Sequence, residues 1–138
     1  MRIKVYKYLH DDAIRIRREV FIEEQGFSEE FDDIDTVATH IVAYEGDAPT
    51  GTCRLFYDER RASFVLGRLA VRKPYRGAEL GSLLIREAEA QAAAKGGHFM
   101  ILHSQCVAIG FYRKNRYQEF GDVEDDEGCP HIWMKKNL

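Results

Sequence analysis

The segment that most clearly carries chemistry is a glycine-containing loop between an apolar run and a long amphipathic run. It covers residues 71–84 and reads VRKPYRGAELGSLL. Where a strand ends and a helix begins, free backbone N–H groups and the positive end of the helix dipole suit a phosphate or pyrophosphate. Gly81 allows close approach to the backbone, and Arg76 adds a fixed positive charge. The loop is neither a Walker A loop nor a GxGxxG loop, so an ordinary strand-to-helix turn with a solvated arginine remains the alternative.

The sequence on either side of this loop predicts alternating strands and helices, and these elements would position the loop. Strands are predicted over residues 2–8, 37–44, 51–57, 64–71, 99–102, 117–120 and 131–135. The first helix has about 14 residues, with Asp11 or Asp12 as its N-cap and Gly26 at its end. The second begins near Leu80 and ends at 95–97, and the third covers roughly 107–115. Because the second helix connects strands 64–71 and 99–102, that pair should be parallel and the others antiparallel.

Composition limits the classes of protein to which the chain can belong. Its 138 residues are 45% hydrophobic with a net charge of −3, which predicts one domain, residues 1–138, with a buried core. The acidic balance argues against nucleic-acid partners, and no apolar run approaches the ~20 residues of a membrane span. The N-terminus lacks the apolar core of a signal peptide, and the three cysteines are scattered: Cys53, Cys106 and Cys129. Both features predict a reduced, cytoplasmic protein. Cys129 and His131 alone are too few for a zinc site, so no metal is expected.

The loop at 71–84 resembles the acetyl-CoA-binding motif of the GNAT (GCN5-related N-acetyltransferase) superfamily. Nine positions fall in register with that motif: Val71, Pro74, Tyr75, Arg76, Gly77, Leu80, Gly81, Leu83 and Leu84. Glu79 stands where the motif has a glycine, and we expect its side chain to point to solvent. Residues 16–26, 108–117 and 128–134 are similar to further GNAT segments. Together these stretches cover essentially the whole chain, and they resemble the small, stand-alone bacterial proteins of the ElaA-like branch.

This resemblance implies both a fold and an activity. The fold is α/β (α+β), the GNAT fold, with a mixed, mostly antiparallel central sheet and helices on both faces. The activity is transfer of an acetyl group from acetyl-CoA to a primary amine of a small molecule or peptide, by direct attack in a ternary complex. No metal takes part, and a homodimer is left open. The alternative is a non-catalytic GNAT-fold sensor or scaffold module that binds CoA, and Glu79 in the loop favours it.

The resemblance also implies which residues bind acetyl-CoA. The backbone of Leu69, Ala70 and Val71 would bond to the pantetheine arm, and an N–H near Leu69 or Ala70 would polarise the thioester carbonyl. The pyrophosphate would lie on the loop formed by Arg76, Gly77, Ala78, Glu79, Leu80, Gly81 and Ser82. Asn115 would contact the pantetheine or adenosine part.

Proton transfer needs an acid and a base. Tyr112 matches the tyrosine that protonates the departing sulfur in many GNAT proteins, and a phenol can donate a proton to a thiolate. A packing role beside Phe111 is the alternative. For the base, four residues lie in segments that should end near the cleft: Glu23, His40, His103 and His131. We name His103 and Glu23 as candidates, against a structural role for each histidine.

Two acidic stretches remain, at residues 23–35 and 119–127. The first holds seven carboxylates in 13 residues and the second holds six in nine. They are read either as solvated loop surface or as the rim of an acceptor pocket that favours a cationic amine. On the second interpretation, small polyamine, amino-sugar or lysine-type acceptors are favoured over acidic ones.

Overall fold

An interior strand of the sheet is buried on both faces. A computed structural model describes residues 1–28 and 30–138, so Glu29 of the first acidic stretch lies outside the described residues. Strand β2, Thr39–Glu45, sends Ile41 and Ala43 into one apolar cluster and Val42 and Tyr44 into another. Successive side chains of a strand point to opposite faces. The sheet therefore has helices on both faces, as predicted.

The described part of the chain forms one sheet of seven strands in the order β1-β2-β3-β4-β5-β7-β6. The other strands are β1 Arg2–Tyr6, β3 Ala48–Asp58, β4 Ser63–Val71, β5 Phe99–Gln105, β6 Gln118–Asp126 and β7 Cys129–Asn137. Among the strand pairs of the described residues, β4–β5 alone is parallel, and the remaining pairs are antiparallel. This confirms the mixed, mostly antiparallel sheet. Strand β5 is longer than predicted because its pairing with β7 continues to Gln105 and His131.

Helix α2, Leu80–Ala94, covers one face of the sheet. Its buried residues at four-residue intervals, Leu80, Leu84, Ala88 and Ala92, pack with the central strands. Helix α3, Ile109–Lys114, follows a 3₁₀ turn at Cys106–Ala108, so the predicted third helix is split in two. Within the described residues, no helix is long and apolar enough to cross a membrane.

The first helix covers the other face and differs from the prediction in two ways. Helix α1, Asp11–Arg17, has His10 as its N-cap, and His10 Nδ1 accepts a hydrogen bond from the Asp12 N–H at 3.0 Å. The prediction of an aspartate cap was therefore wrong, because both aspartates lie in the first turn, where their charge favours the helix dipole. The chain then continues as a π-helix, Arg18–Glu24, so the whole helical run has the predicted length.

A bulge in β4 opens the sheet. Arg68 and Leu69 together lie opposite the single residue Cys53 of β3, and Arg68 has a φ of 51°. Pairing between β4 and β5 covers only three residue pairs and ends at Leu66 and Leu102. Beyond that point the two strands diverge, and the gap between them holds the candidate site.

Candidate active site

A groove of about 790 Å³ runs from the end of β4 along the start of α2 to α3. The loop after β4 lines it with six of the residues that were predicted to bind the cofactor: Arg76, Gly77, Glu79, Leu80, Gly81 and Ser82. Leu69, Val71 and Asn115 line it too, whereas Ala70 packs in the apolar cluster under α1. Ala70 and Ala78 were also predicted to bind the cofactor, but they are not among the described residues that line the groove.

The start of α2 offers the donors that a pyrophosphate requires. The first intrahelical bond goes from the Leu83 N–H to the Glu79 carbonyl. The N–H groups of the three residues between them, Leu80, Gly81 and Ser82, belong to the first turn, where helical N–H groups have no partner within the helix. This arrangement fits an anionic ligand.

Local backbone conformation and packing explain features of Glu79 and Gly81. Glu79 adopts the left-handed conformation, with a φ of 59°, which explains why the family motif has glycine there. Its side chain is exposed, as expected, although the residue borders the groove. A Cβ on Gly81 would lie 2.9 Å from the Phe111 ring, so this glycine makes room for Phe111 as well as for a ligand.

The charge of Arg76 is already matched by a carboxylate. Its Nη1 and Nη2 each donate to Glu24 at 2.7 Å, and its Nε donates to the Val71 carbonyl at 2.8 Å. The hydrogen bond to Glu24 raises the pKa of Arg76 and lowers that of Glu24. Arg86 and Lys114 also line the groove, and neither forms an ion pair among the described residues. Sequence reasoning missed these two cations because they lie outside the loop motif.

A second, smaller cavity of about 190 Å³ lies in the gap between β4 and β5. The lining includes Phe21, Gln25, Glu30, Arg68, His103, Gln105, Asp126 and His131. Leu69, Ala108 and Tyr112 line both this cavity and the groove. These three residues therefore lie between the two spaces, and we call the smaller space the acceptor cavity, after the acceptor pocket that one interpretation of the acidic stretches predicts.

Tyr112 lies between the groove and the acceptor cavity, in α3. Its ring packs edge-on against Phe111, with the ring centroids 5.1 Å apart. Burial raises the pKa of its hydroxyl, which keeps the group protonated. No described residue forms a hydrogen bond with that hydroxyl. Tyr112 therefore presents a protonated hydroxyl without a described protein partner where the two cavities meet.

The four candidate bases occupy different environments. Glu23 is exposed and is absent from the described lining of both cavities, although Phe21 and Gln25 on either side line the acceptor cavity. The i→i+5 pattern of the π-helix changes the angle between successive side chains and leaves Glu23 facing outwards. His40 is fully buried, and its Nε2 is 3.0 Å from the Asp35 carbonyl. Only His103 and His131 line the cavity among these described candidates.

His103 is held by aromatic and acidic neighbours. Its ring stacks on Trp133 at 4.6 Å and lies 5.0 Å from the ring of His131. Burial, together with His131, lowers the pKa of His103, which favours the neutral imidazole. Its Nε2 is buried without a hydrogen-bond partner among the described residues and is 3.7 Å from Glu124 Oε1.

A buried ionic network anchors the wall of the acceptor cavity. Arg17 donates to Glu30 at 2.8 Å and to Asp35 at 2.7 Å. Arg54 bonds to Asp35 at 3.0 Å, and Arg68 pairs with Glu30 at 3.0 Å. Burial raises the pKa of Glu30 against the opposing effect of Arg68 and Arg17. The network thereby ties residues 30–35 to α1 and to the bulge of β4.

Two other observations concern ions and cavities. In the part of the chain that the structure describes, no group of three or more His, Cys, Asp or Glu side chains could hold a metal ion. A further cavity of about 710 Å³ lies on the face of β5, β6 and β7, where its lining includes Arg61, Arg116 and Lys135. None of the residues predicted to act in chemistry is in its described lining.

Comparison with known proteins identifies the family. Residues 8–138 match the family described as "Acetyltransferase (GNAT) domain". The chain is 39% identical to the uncharacterized protein YyaT of Bacillus subtilis, over 99% of this chain and 94% of that one. It is 35% identical to the uncharacterized N-acetyltransferase YjcF of B. subtilis, over 91% of each chain. Escherichia coli ElaA has the same fold, with a TM-score of 0.86 over 98% of both chains at 20% identity. The chain therefore belongs to the GNAT acetyltransferase family.

Proposed function

We propose that the protein transfers an acetyl group from acetyl-CoA to a primary amine by direct attack in a ternary complex. One observation carries this proposal: a groove suited to an anionic cofactor meets a small cavity at Leu69, Ala108 and Tyr112. A thioester held in the groove and an amine held in the cavity would then be adjacent. Such positioning converts a bimolecular reaction into an effectively unimolecular one.

The proposed roles follow from these positions. Acetyl-CoA, when bound, supplies the activated acetyl group. The first turn of α2, with Arg86 and Lys114, would hold its pyrophosphate. Beyond Leu66 the edge of β4 has no strand partner on its β5 side within the described sheet, so the backbone at 69–71 can bond to the pantetheine arm. An N–H near Leu69 or Ala70 would polarise the carbonyl, and Tyr112 would protonate the departing sulfur.

The acceptor that we propose is a cationic amine. Asp126 lines the acceptor cavity and forms no ion pair among the described residues, whereas Glu30 is matched by Arg17 and Arg68. The unmatched charge is therefore negative and favours an ammonium group. We also propose a cytoplasmic location, which the three free cysteines support.

Thermal shift and CoA release together test the proposal. A ligand at about 100 times its Kd adds about 2.7 kcal/mol of stability. For 138 residues this amount raises Tm by about 9 °C. We expect such a shift with acetyl-CoA and CoA but not with a nucleoside monophosphate control. We also expect release of free CoA only when protein, acetyl-CoA and a primary amine are all present.

The alternative is a sensor or scaffold module that binds CoA without catalysis. The pairing of Arg76 with Glu24 and the presence of Glu79 at the groove favour this alternative, since both reduce the positive charge offered to phosphates. A thermal shift with acetyl-CoA, combined with no CoA release across an amine library, would support the sensor and contradict the enzyme. No shift and no release would contradict both.

A further inference from the structure

The hydrogen bond made by His131 fixes which of its ring nitrogens carries the proton. His131 lies in β7, and its Nδ1 is 2.9 Å from the backbone carbonyl oxygen of Cys129. A carbonyl oxygen can only accept a hydrogen bond, so Nδ1 is the donor. In the neutral ring the lone pair is then on Nε2, the arrangement of an oriented histidine base.

The Nε2 of His131 is open to the acceptor cavity. His131 is 7% exposed and lines this cavity together with Tyr112. Its Nε2 has no hydrogen-bond partner within the described residues. This atom is nevertheless not sealed off, because it is absent from the buried polar atoms that lack a partner. The Nε2 of His103 does belong to them. Of the two imidazoles, His131 is the one whose tautomer is fixed by a bond to a carbonyl oxygen and whose Nε2 is not sealed off.

Several charged and titratable groups surround this imidazole. His103 faces it from β5, and Glu124 pairs with His131 in the register of β6 and β7. Asp126, Arg68, Glu30 and Tyr112 share the cavity, and Arg61, Cys106 and Cys129 lie around the two histidines. Glu30 and Arg68 are paired with each other. Asp126 is therefore the carboxylate of the cavity lining that has no ion-pair partner among the described residues and can face a ligand.

We propose that His131 Nε2 accepts the proton of an unbranched primary alkylammonium held in the acceptor cavity beside Asp126. This proposal rests on the proposed function and assigns its missing base. A cavity of about 190 Å³ has the volume of about six waters at ~30 Å³ each. It therefore has room for a short alkyl chain and its nitrogen, while a bulkier remainder of the acceptor stays outside.

The proton and electron balance of the step is complete. An N–H bond of the ammonium breaks, its electron pair stays on nitrogen, and the proton moves to Nε2. The amine then forms a C–N bond with the acetyl carbon, and the C–S bond breaks. The sulfur takes the hydroxyl proton of Tyr112, and the tyrosine recovers the proton that nitrogen loses on becoming an amide. The imidazolium finally releases its proton to water, so RNH₃⁺ and acetyl-CoA give the amide, CoA and one proton.

The substitution His131→Asn tests the base. Asparagine keeps an N–H that can donate to the Cys129 carbonyl, but it has no basic nitrogen. We expect kcat/KM for n-butylamine to fall by about 10²–10⁴-fold. Tm and the Kd for acetyl-CoA should stay unchanged. His98→Asn is the matched control, because His98 is exposed in a distant turn, and it should keep wild-type kinetics.

A second pair of variants tests ammonium recognition. Asp126→Asn should raise KM for n-butylamine about tenfold and leave KM for acetyl-CoA unchanged. Asp122→Asn on the same hairpin, outside the described cavity lining, should change neither. The wild-type protein should prefer n-butylamine to 1-adamantylamine, whose cage is larger than the cavity, by at least tenfold in kcat/KM.

The outcomes separate this proposal from the proposed function. If the wild-type protein releases CoA and His131→Asn changes kcat/KM by less than threefold, the base assignment is overturned while the enzyme remains. The same holds if His103→Asn lowers kcat/KM more than His131→Asn does. If the wild-type protein releases no CoA with any amine, the proposed function itself fails. Equal rates for the two amines would overturn the size argument.

Discussion

Replacing Arg17 by methionine should destabilise the protein more than any surface substitution. The Arg17 side chain is 1% exposed, and its guanidinium bonds to the carboxylates of Glu30 and Asp35, which are each 5% exposed. Methionine has a similar length but no charge, so both buried carboxylates lose a partner. Removing one member of a buried ion pair costs about 3–5 kcal/mol.

This cost can be converted into a melting temperature. Unfolding entropy near Tm is about 2.1 cal/mol/K per residue, or about 0.29 kcal/mol/K for 138 residues. The Arg17→Met variant should therefore melt about 10–17 °C below the wild-type protein in differential scanning calorimetry.

A neighbour on the same helix provides the control. Arg15 is exposed and forms no ion pair among the described residues, so Arg15→Met should change stability by about 0.5 kcal/mol or less, about 2 °C. A loss of less than about 3 °C in Arg17→Met would refute the reasoning. Such a result would mean that water or the remaining arginines satisfy the two carboxylates without Arg17.

Three further predictions concern the catalytic acid, the ionic network and the phosphate loop. Tyr112→Phe should lower kcat by about 10²–10⁴-fold and leave the Kd for acetyl-CoA unchanged in calorimetry, and unchanged turnover would remove Tyr112 from the mechanism. Burial raises the pKa of Asp35, but the hydrogen bonds from Arg17 and its neighbours dominate and hold it at about 2. Because this folded-state pKa is depressed from 3.8, the stabilisation of about 2 kcal/mol is present above pH 4 and lost as pH falls towards 2. Urea unfolding should thus show the gap between the wild-type protein and Asp35→Asn narrowing between pH 5 and pH 2, and a constant gap would contradict this. Glu79→Gly should tighten acetyl-CoA binding about fivefold, since it removes about 1 kcal/mol of repulsion at the protein surface, and weaker binding would show that Glu79 does not oppose the phosphates.

The loop and α2 could be predicted from the sequence because their signals are local. The four-residue spacing of Leu80, Leu84 and Ala88 defines the buried face of α2, and the loop before it lies within a few residues. The parallel β4–β5 pair followed from the helix between the two strands. Such features depend on neighbours in the chain, and the structure confirms them.

The rest of the site depends on contacts between distant segments. Arg76 was expected to offer its charge to a phosphate, but Glu24, 52 residues away, holds both of its Nη atoms. Glu23 was expected near the cleft, and the π-helix turns it outwards. A prediction from α-helical periodicity assumes the same rotation per residue throughout the helix. It therefore cannot predict the change in side-chain direction that a π-helix introduces.

The choice between the two histidines also required the structure. The sequence predicted that His103 lies near the cleft, and His103 does line the acceptor cavity. The hydrogen bond from His131 Nδ1 to a carbonyl two residues earlier in the chain fixes the tautomer of that ring. The sequence shows neither this bond nor which Nε2 is open to the cavity.

Two-substrate initial-velocity kinetics test the central claim most directly. Acetyl-CoA and n-butylamine are varied together while the release of CoA is followed with a thiol reagent. Because the groove and the acceptor cavity meet at Tyr112, the account predicts a ternary complex and double-reciprocal lines that intersect. Parallel lines would contradict it by showing an acetylated enzyme intermediate, and acetyl-CoA binding without any CoA release would show a sensor instead of an enzyme.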